Sequence, residues 1–134
     1  MEQGAQNKPA VDGIAIIPTT GENFIRTWLE VMKPFHHLTS REMDFTAALL
    51  ARREEIAADV KDQSNVDKLL FDEEEKEKVC KKVGITNSHM KMILHKMRKA
   101  GVINGKKIDP KYILKWQRGK PFRMVFVFKN QDDA

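Results

Sequence analysis

The sequence predicts a mainly α fold carrying a small β element, and three observations predict it. Apolar residues recur at helical spacing in three stretches, within Phe24–Met32, Met43–Ala57 and Met90–Met97. Two acid-bearing capping signatures, Thr39–Glu42 and Asp72–Glu75, mark helix starts. Strand signals are confined to short runs, the clearest being the strict alternation over Phe122–Phe128.

Residues 1–13 are polar and bear Gly and Pro, which predicts a loose tail. Residues 14–37 form an N-terminal strand and helix extension. In it Ile14-Ala15-Ile16-Ile17, closed by Pro18, is expected as an edge strand, and Thr20 as the cap of a first helix. Phe24, Ile25, Trp28, Leu29 and Met32 make one face of that helix, and Lys33-Pro34 is expected to end it. His36-His37 then reads as a loop dipeptide at the surface. Thr39 and Glu42 can satisfy each other's backbone N–H, so a helix is expected from Ser40 to about Val60. Its apolar residues form two overlapping stripes, Met43, Ala47, Leu50 and Ala57 beside Phe45, Leu49 and Ile56, which predicts broad burial. Lys61–Asn65 is a polar break. Asp72-Glu73-Glu74-Glu75 predicts a second capping box, with acids where the positive end of a helix dipole favours them. Glu74 with Lys78 and Glu77 with Lys81 stand four apart in the favourable order.

Charge divides the chain more sharply than hydropathy does. Val79–Lys129 holds fourteen Lys or Arg residues and one acid, Asp109, whereas the preceding seventy-eight residues hold ten bases and sixteen acids. A net charge of +5 is therefore the sum of a −6 segment, a +13 segment and a −2 tail over 130–134. Folding has little need of such a field, but a polyanion is attracted by it. The chain of 134 residues has one domain's length. It has no apolar run near the ~20 residues that cross a bilayer. Its N-terminus lacks the apolar core of a signal peptide, which predicts a cytoplasmic protein. One cysteine excludes an internal disulfide and a cysteine-based zinc site.

The basic segment begins within a helix, tight turn, helix pattern. Gly84 stands where the chain must leave one helix through a left-handed conformation. Ile85 can plug the angle, and Thr86 or Asn87 can cap the second helix. Met90, Ile93, Leu94 and Met97 make its inward face, which leaves Ser88, Met92, His95 and Lys99 outward. Counted from Lys76, a small residue falls fifth (Cys80) and a glycine ninth (Gly84), with apolar Val79, Val83, Ile85, Met90 and Ile93 at the fourth, eighth, tenth, fifteenth and eighteenth positions. These seven positions resemble the helix-turn-helix family, in which the small residue lets the helices cross closely. The following Lys99-Ala100-Gly101-Val102-Ile103 and the Asn104-Gly105 turn signal are similar to winged members of that family. Asp109-Pro110 resembles an element found after the recognition helix in small phage and plasmid replication initiators.

The resemblance implies a winged helix-turn-helix with an N-terminal helical extension, its domain spanning 38–129. Phe122–Phe128 could pair with Tyr112–Trp116, leaving 117–121 as the wing tip, or the tip could lie at 104–107. The resemblance further implies double-stranded DNA as partner, with the helix of about 87–100 in the major groove. Asn87, Ser88, Lys91, Met92 and His95 would approach base edges. Lys96, Arg98, Lys99, Lys106, Lys107, Arg118, Lys120 and Arg123 would hold phosphates. The family departs here in one respect, since Glu73, Glu74 and Glu75 crowd a helix start that often approaches a phosphate. A transcription regulator is the expected role, with replication-origin binding as the rival.

The Phe24–Met32 helix with Trp28 also offers a face for a homodimer or for a protein-docking module. Single-stranded nucleic acid finds few stacking aromatics in the basic half, chiefly Tyr112, Trp116 and Phe122. No enzyme is expected: His89 and His95 are six apart, unsuited to joint ligation on a helix, and no phosphate loop or nucleophile motif appears. No cofactor, metal, membrane or small-molecule ligand is implied.

Overall fold

The computed structural model describes residues 13–21, 23–115, 117 and 119–133. Six α-helices and one two-stranded antiparallel sheet are present among them. Residues 1–12 of the tail expected over 1–13 lie outside the described residues.

Helix α1, Phe24–Val31, buries Phe24, Trp28 and Leu29 against the long helix α3, Ser40–Asp59. Helix α1 ends at Val31, just before Lys33-Pro34 as expected, but these residues open a further helix. The chain breaks at Met32 and restarts as a four-residue helix α2, Lys33–His36, with Pro34 in its first turn. The missing N–H of proline costs little there because first-turn donors have no intrahelical partner anyway. Arg26 ties α1 to the start of α3, donating from Nε to Asp44 at 2.9 Å and from a terminal nitrogen to the Ser40 hydroxyl at 3.0 Å.

His36 is not the surface residue expected. It is buried, and both ring nitrogens are used: Nδ1 accepts from the Leu38 N–H at 2.9 Å and Nε2 lies 2.7 Å from the Leu29 carbonyl. A nitrogen that accepts carries no proton, so the proton sits on Nε2, which donates to Leu29. Burial, set against that carbonyl bond, pushes the imidazole below its ordinary value.

Helix α3 opens on the predicted capping box, Glu42 N–H donating to the Thr39 hydroxyl at 3.3 Å and Thr39 N–H to the Glu42 carboxylate at 2.8 Å. Its two apolar stripes merge into a broad buried side through Met43, Phe45, Leu49, Leu50 and Ile56. This side is the spine of the fold, packed by α1, α4 and α5 in turn. After the polar break comes an unexpected helix α4, Val66–Leu70, whose Val66 and Leu70 are wholly buried. Five residues span too little of a turn pattern to be read from periodicity.

Helix α5, Glu73–Val83, starts at Asp72, whose carboxylate accepts from the Glu74 N–H at 3.3 Å. This N-cap bond reaches the second helical residue rather than the third, so the expected capping box does not form. Glu75 turns instead to Arg52 on α3, with contacts of 2.6 and 3.0 Å, because a charged fork is a stronger partner than one backbone donor. Lys78 joins Glu75 at 3.6 Å, and the Glu77–Lys81 pair forms at 3.4 Å. Cys80 is buried and packs in the core, where burial raises its thiol pKa. It is a packing residue, as expected.

The strand expectations fare differently. Ile14–Ile17 makes no strand, and Ile14 and Ile16 are each 85% exposed. Phe122–Phe128 joins no ladder, and its expected partner begins instead with a 3₁₀ turn, Pro110–Tyr112, capped by Asp109. Trp116, the end of that partner, lies outside the described residues. Alternation supplies a strand's faces but not a neighbour to bond with. The sheet comprises β1, Ile103–Asn104, and β2, Lys107–Ile108, with Ile103 opposite Ile108 and Asn104 opposite Lys107. Of the two tips weighed, the hairpin forms at 104–107. Its central pair is Gly105-Lys106, one residue beyond the Asn104-Gly105 signal, with Gly105 at φ +66°. No described helix is long and apolar enough to cross a membrane.

Candidate nucleic-acid interface

The turn between α5 and helix α6, Asn87–Lys99, is fixed from both ends. Gly84 takes φ +81°, and its N–H closes α5 on the Cys80 carbonyl at 2.8 Å. Thr86 then caps α6, its hydroxyl accepting from the His89 N–H at 3.1 Å. Sequence reasoning missed the brace: Arg41 on α3 donates to the carbonyls of Val83 at 2.8 Å and Gly84 at 3.0 Å. Those carbonyls end a helix and lack intrahelical partners, so a cation suits them twice over.

Helix α6 presents the predicted sides. Met90, Ile93, Leu94 and Met97 are buried, while Asn87, Ser88, Lys91, Met92, His95, Arg98 and Lys99 are exposed. Met92 is 67% exposed, which removes burial as the reason for a methionine there.

Lys96 departs from its expected role. Its ammonium lies 2.7 and 2.8 Å from the two Glu42 oxygens, on the flank of α6 that faces α3. Burial opposes ionisation of Glu42, but Lys96 and the Thr39 N–H outweigh it and hold the carboxyl below its ordinary value. This ammonium is committed to the fold. A helical wheel places it beside the outward face, but the wheel does not show which neighbouring helix carries an acid.

The hairpin stands next to α6, with β1 packed against that helix. Ile103 and Ile108 point inward, while Lys106 and Lys107 are exposed. A second unforeseen residue, Asp67 on α4, anchors it: one carboxylate oxygen accepts from the Ile108 N–H at 3.1 Å and the other pairs with Arg53 of α3. Neither Asp67 nor Arg53 stands in a sequence pattern, because their meeting depends on the packing of α3, α4 and β2.

Glu73 reports how the basic groups converge. Its carboxyl is held below the ordinary value, first by the Lys76 hydrogen bond at 3.0 Å and further by the charges of Lys91 and Lys106. Lys91 of α6 and Lys106 of the hairpin tip are thus near enough to the acidic start of α5 to act on this carboxyl. The basic residues nearer the C-terminus are placed elsewhere. Phe122 stacks edge-on against Phe24 and Trp28 of α1, at centroid distances of 5.2 and 6.2 Å, so the exposed Lys120 and Arg123 flank the α1 side. Arg118 lies outside the described residues. Among the described residues no cluster of His, Cys, Asp or Glu has the makings of a metal site.

The homodimer face expected on the first helix is used internally, since Phe24, Trp28, Leu29 and Met32 are all buried. No protein-family model matches the chain, and no curated protein or solved structure matches it.

Proposed function

We propose that the chain is a sequence-specific double-stranded DNA-binding protein of the winged helix-turn-helix kind, acting as a transcription regulator. The observation that carries this reading is the exposed outer face of α6 with the basic tip of the hairpin beside it, β1 being packed against the same helix. The major groove is wide enough to admit a helix, and α6 offers it Asn87, Ser88, Lys91, Met92 and His95. Asn87 and Lys91 supply hydrogen bonds to base edges, and the Met92 side chain is an apolar surface suited to a thymine methyl. Arg98, Lys99, Lys106 and Lys107 hold phosphates, with the hairpin as wing. The Asp109-capped turn after the hairpin keeps origin binding as the rival role. Footprints over promoters rather than repeated origin sites distinguish the two.

Titration against duplex DNA at several salt concentrations tests the reading. With about four phosphates neutralised, log K should fall with log salt at a slope of roughly −3 to −4. Lys106→Ala with Lys107→Ala should weaken all sequences alike and lower that slope by about 2. Asn87→Ala should instead cost roughly 1–3 kcal/mol on the preferred site and little on others. A slope near zero, or identical behaviour of the two variant classes, removes the docking geometry.

A further inference from the structure

The proposed DNA contact makes no use of the segment after Pro121. Residues 121–130 form neither helix nor ladder, and their side chains alternate Phe122, Met124, Phe126 and Phe128 with Arg123, Val125 and Val127. Seven such residues without Pro or Gly have high strand propensity, and folded proteins rarely leave such a stretch uncovered. Here Val125 is 75%, Val127 80% and Phe128 96% exposed. Phe122 moors the segment on Phe24 and Trp28. Phe122, Met124 and Phe126 thereby wall one side of an open apolar cavity of about 590 Å³, whose other side includes Trp28, Met32 and Leu114.

We propose that this segment pairs antiparallel with the same segment of a second copy of the chain, about a two-fold axis at Val125. In that register Phe122 faces the other copy's Phe128, Met124 faces its Phe126, and Val125 faces itself, all on matching sides of the pleat. The second copy's Phe126 and Phe128 then lie over the apolar cavity. Charge selects both orientation and register. Antiparallel pairing sets Lys120 opposite Asn130, with Asp132 close by in the 3₁₀ turn Gln131–Asp133, and it sets Arg123 opposite Val127, so that Lys129 stands only on its diagonal. Parallel pairing would stack like on like. Moving the axis to Phe126 would set Arg123 opposite Lys129, and like charges directly opposed are destabilising. Moving it to Met124 would set Phe128 opposite Lys120. The sequence is thus self-complementary in one register, and a partner of another kind would have to reproduce that pattern.

Sedimentation equilibrium of the full chain without DNA, from about 1 to about 100 µM, should show a reversible monomer–dimer equilibrium. Val125→Pro removes a ladder donor at an exposed position. It should leave the circular dichroism spectrum intact while raising the dimer dissociation constant by about tenfold or more. Lys120→Glu should also weaken the dimer, and adding Asp132→Lys should restore it. A chain that stays monomeric throughout, or a dimer indifferent to Val125→Pro, overturns the proposal. Because no DNA is present, either result leaves the DNA-binding reading to its own test.

Discussion

Two buried side chains, His36 and Glu42, carry ionisation states that bear on stability. His36 is held neutral, with one nitrogen accepting from Leu38 and the other donating to Leu29. Its pKa is lowered in the fold, so below about pH 6.5 the unfolded chain binds the proton that the folded chain resists. The stabilisation is full above that pH and is lost as pH falls toward the folded value. Thermal melts should therefore decline on acidification below about pH 6.5, and His36→Gln, which does not titrate, should flatten that decline. At the Glu42–Lys96 pair the opposite chemistry gives the same direction, since the lowered carboxyl pKa adds stability that disappears as pH falls through the acidic range. Lys96→Met should cost about 1 kcal/mol in chemical denaturation, the partly exposed ammonium being screened by water. The salt slope of DNA binding should be unchanged, and a slope lowered by about 1 would return Lys96 to the phosphate contacts.

At the scale of elements, legibility followed how local the controlling contact is. The box at Thr39–Glu42, the left-handed Gly84 and the inward stripe of α6 depend on residues within one turn of each other, and the sequence displays them. The fate of Phe122–Phe128 depends on whether a neighbouring backbone offers donors and acceptors, which alternation cannot reveal. Helix α4 and the Asp67 anchor were hidden for a related reason: their partners lie on α3 and β2, far along the chain. Asp67 also makes the hairpin separable from the helices in a defined way. Asp67→Ala leaves Arg53 unpaired and the Ile108 N–H without its acceptor, which should destabilise by about 2–4 kcal/mol. Amide exchange should accelerate at Ile108 before it does in α6. Uniform acceleration across both would show that the hairpin is not an independently anchored unit.

Over the whole molecule, acidic and basic halves are folded together rather than kept apart. Lys96 with Glu42 joins the two halves, Arg52 with Glu75 and Arg53 with Asp67 pair within the acidic one, and the field of α6 and the hairpin is left facing outward. The acidic entrance of α5 borders that field, with Glu73 85% exposed at its side chain. If Lys91 and Lys106 contact DNA, this carboxylate repels the same phosphates. Glu73→Gln should then strengthen binding severalfold at low salt, with the gain shrinking as ionic strength rises. A gain that persists undiminished at high salt would show that the substitution acts by some route other than charge.

The Arg41 brace has a further consequence. By gripping the two carbonyls at which α5 gives way to the turn, it sets the angle of α6 from the scaffold before any ligand arrives. On the DNA-binding reading proposed above, a helix held this way would need less ordering on docking, which would spare part of the entropy that a loose helix forfeits. On that same reading, discrimination between sites would fall more to how well a duplex conforms to the protein.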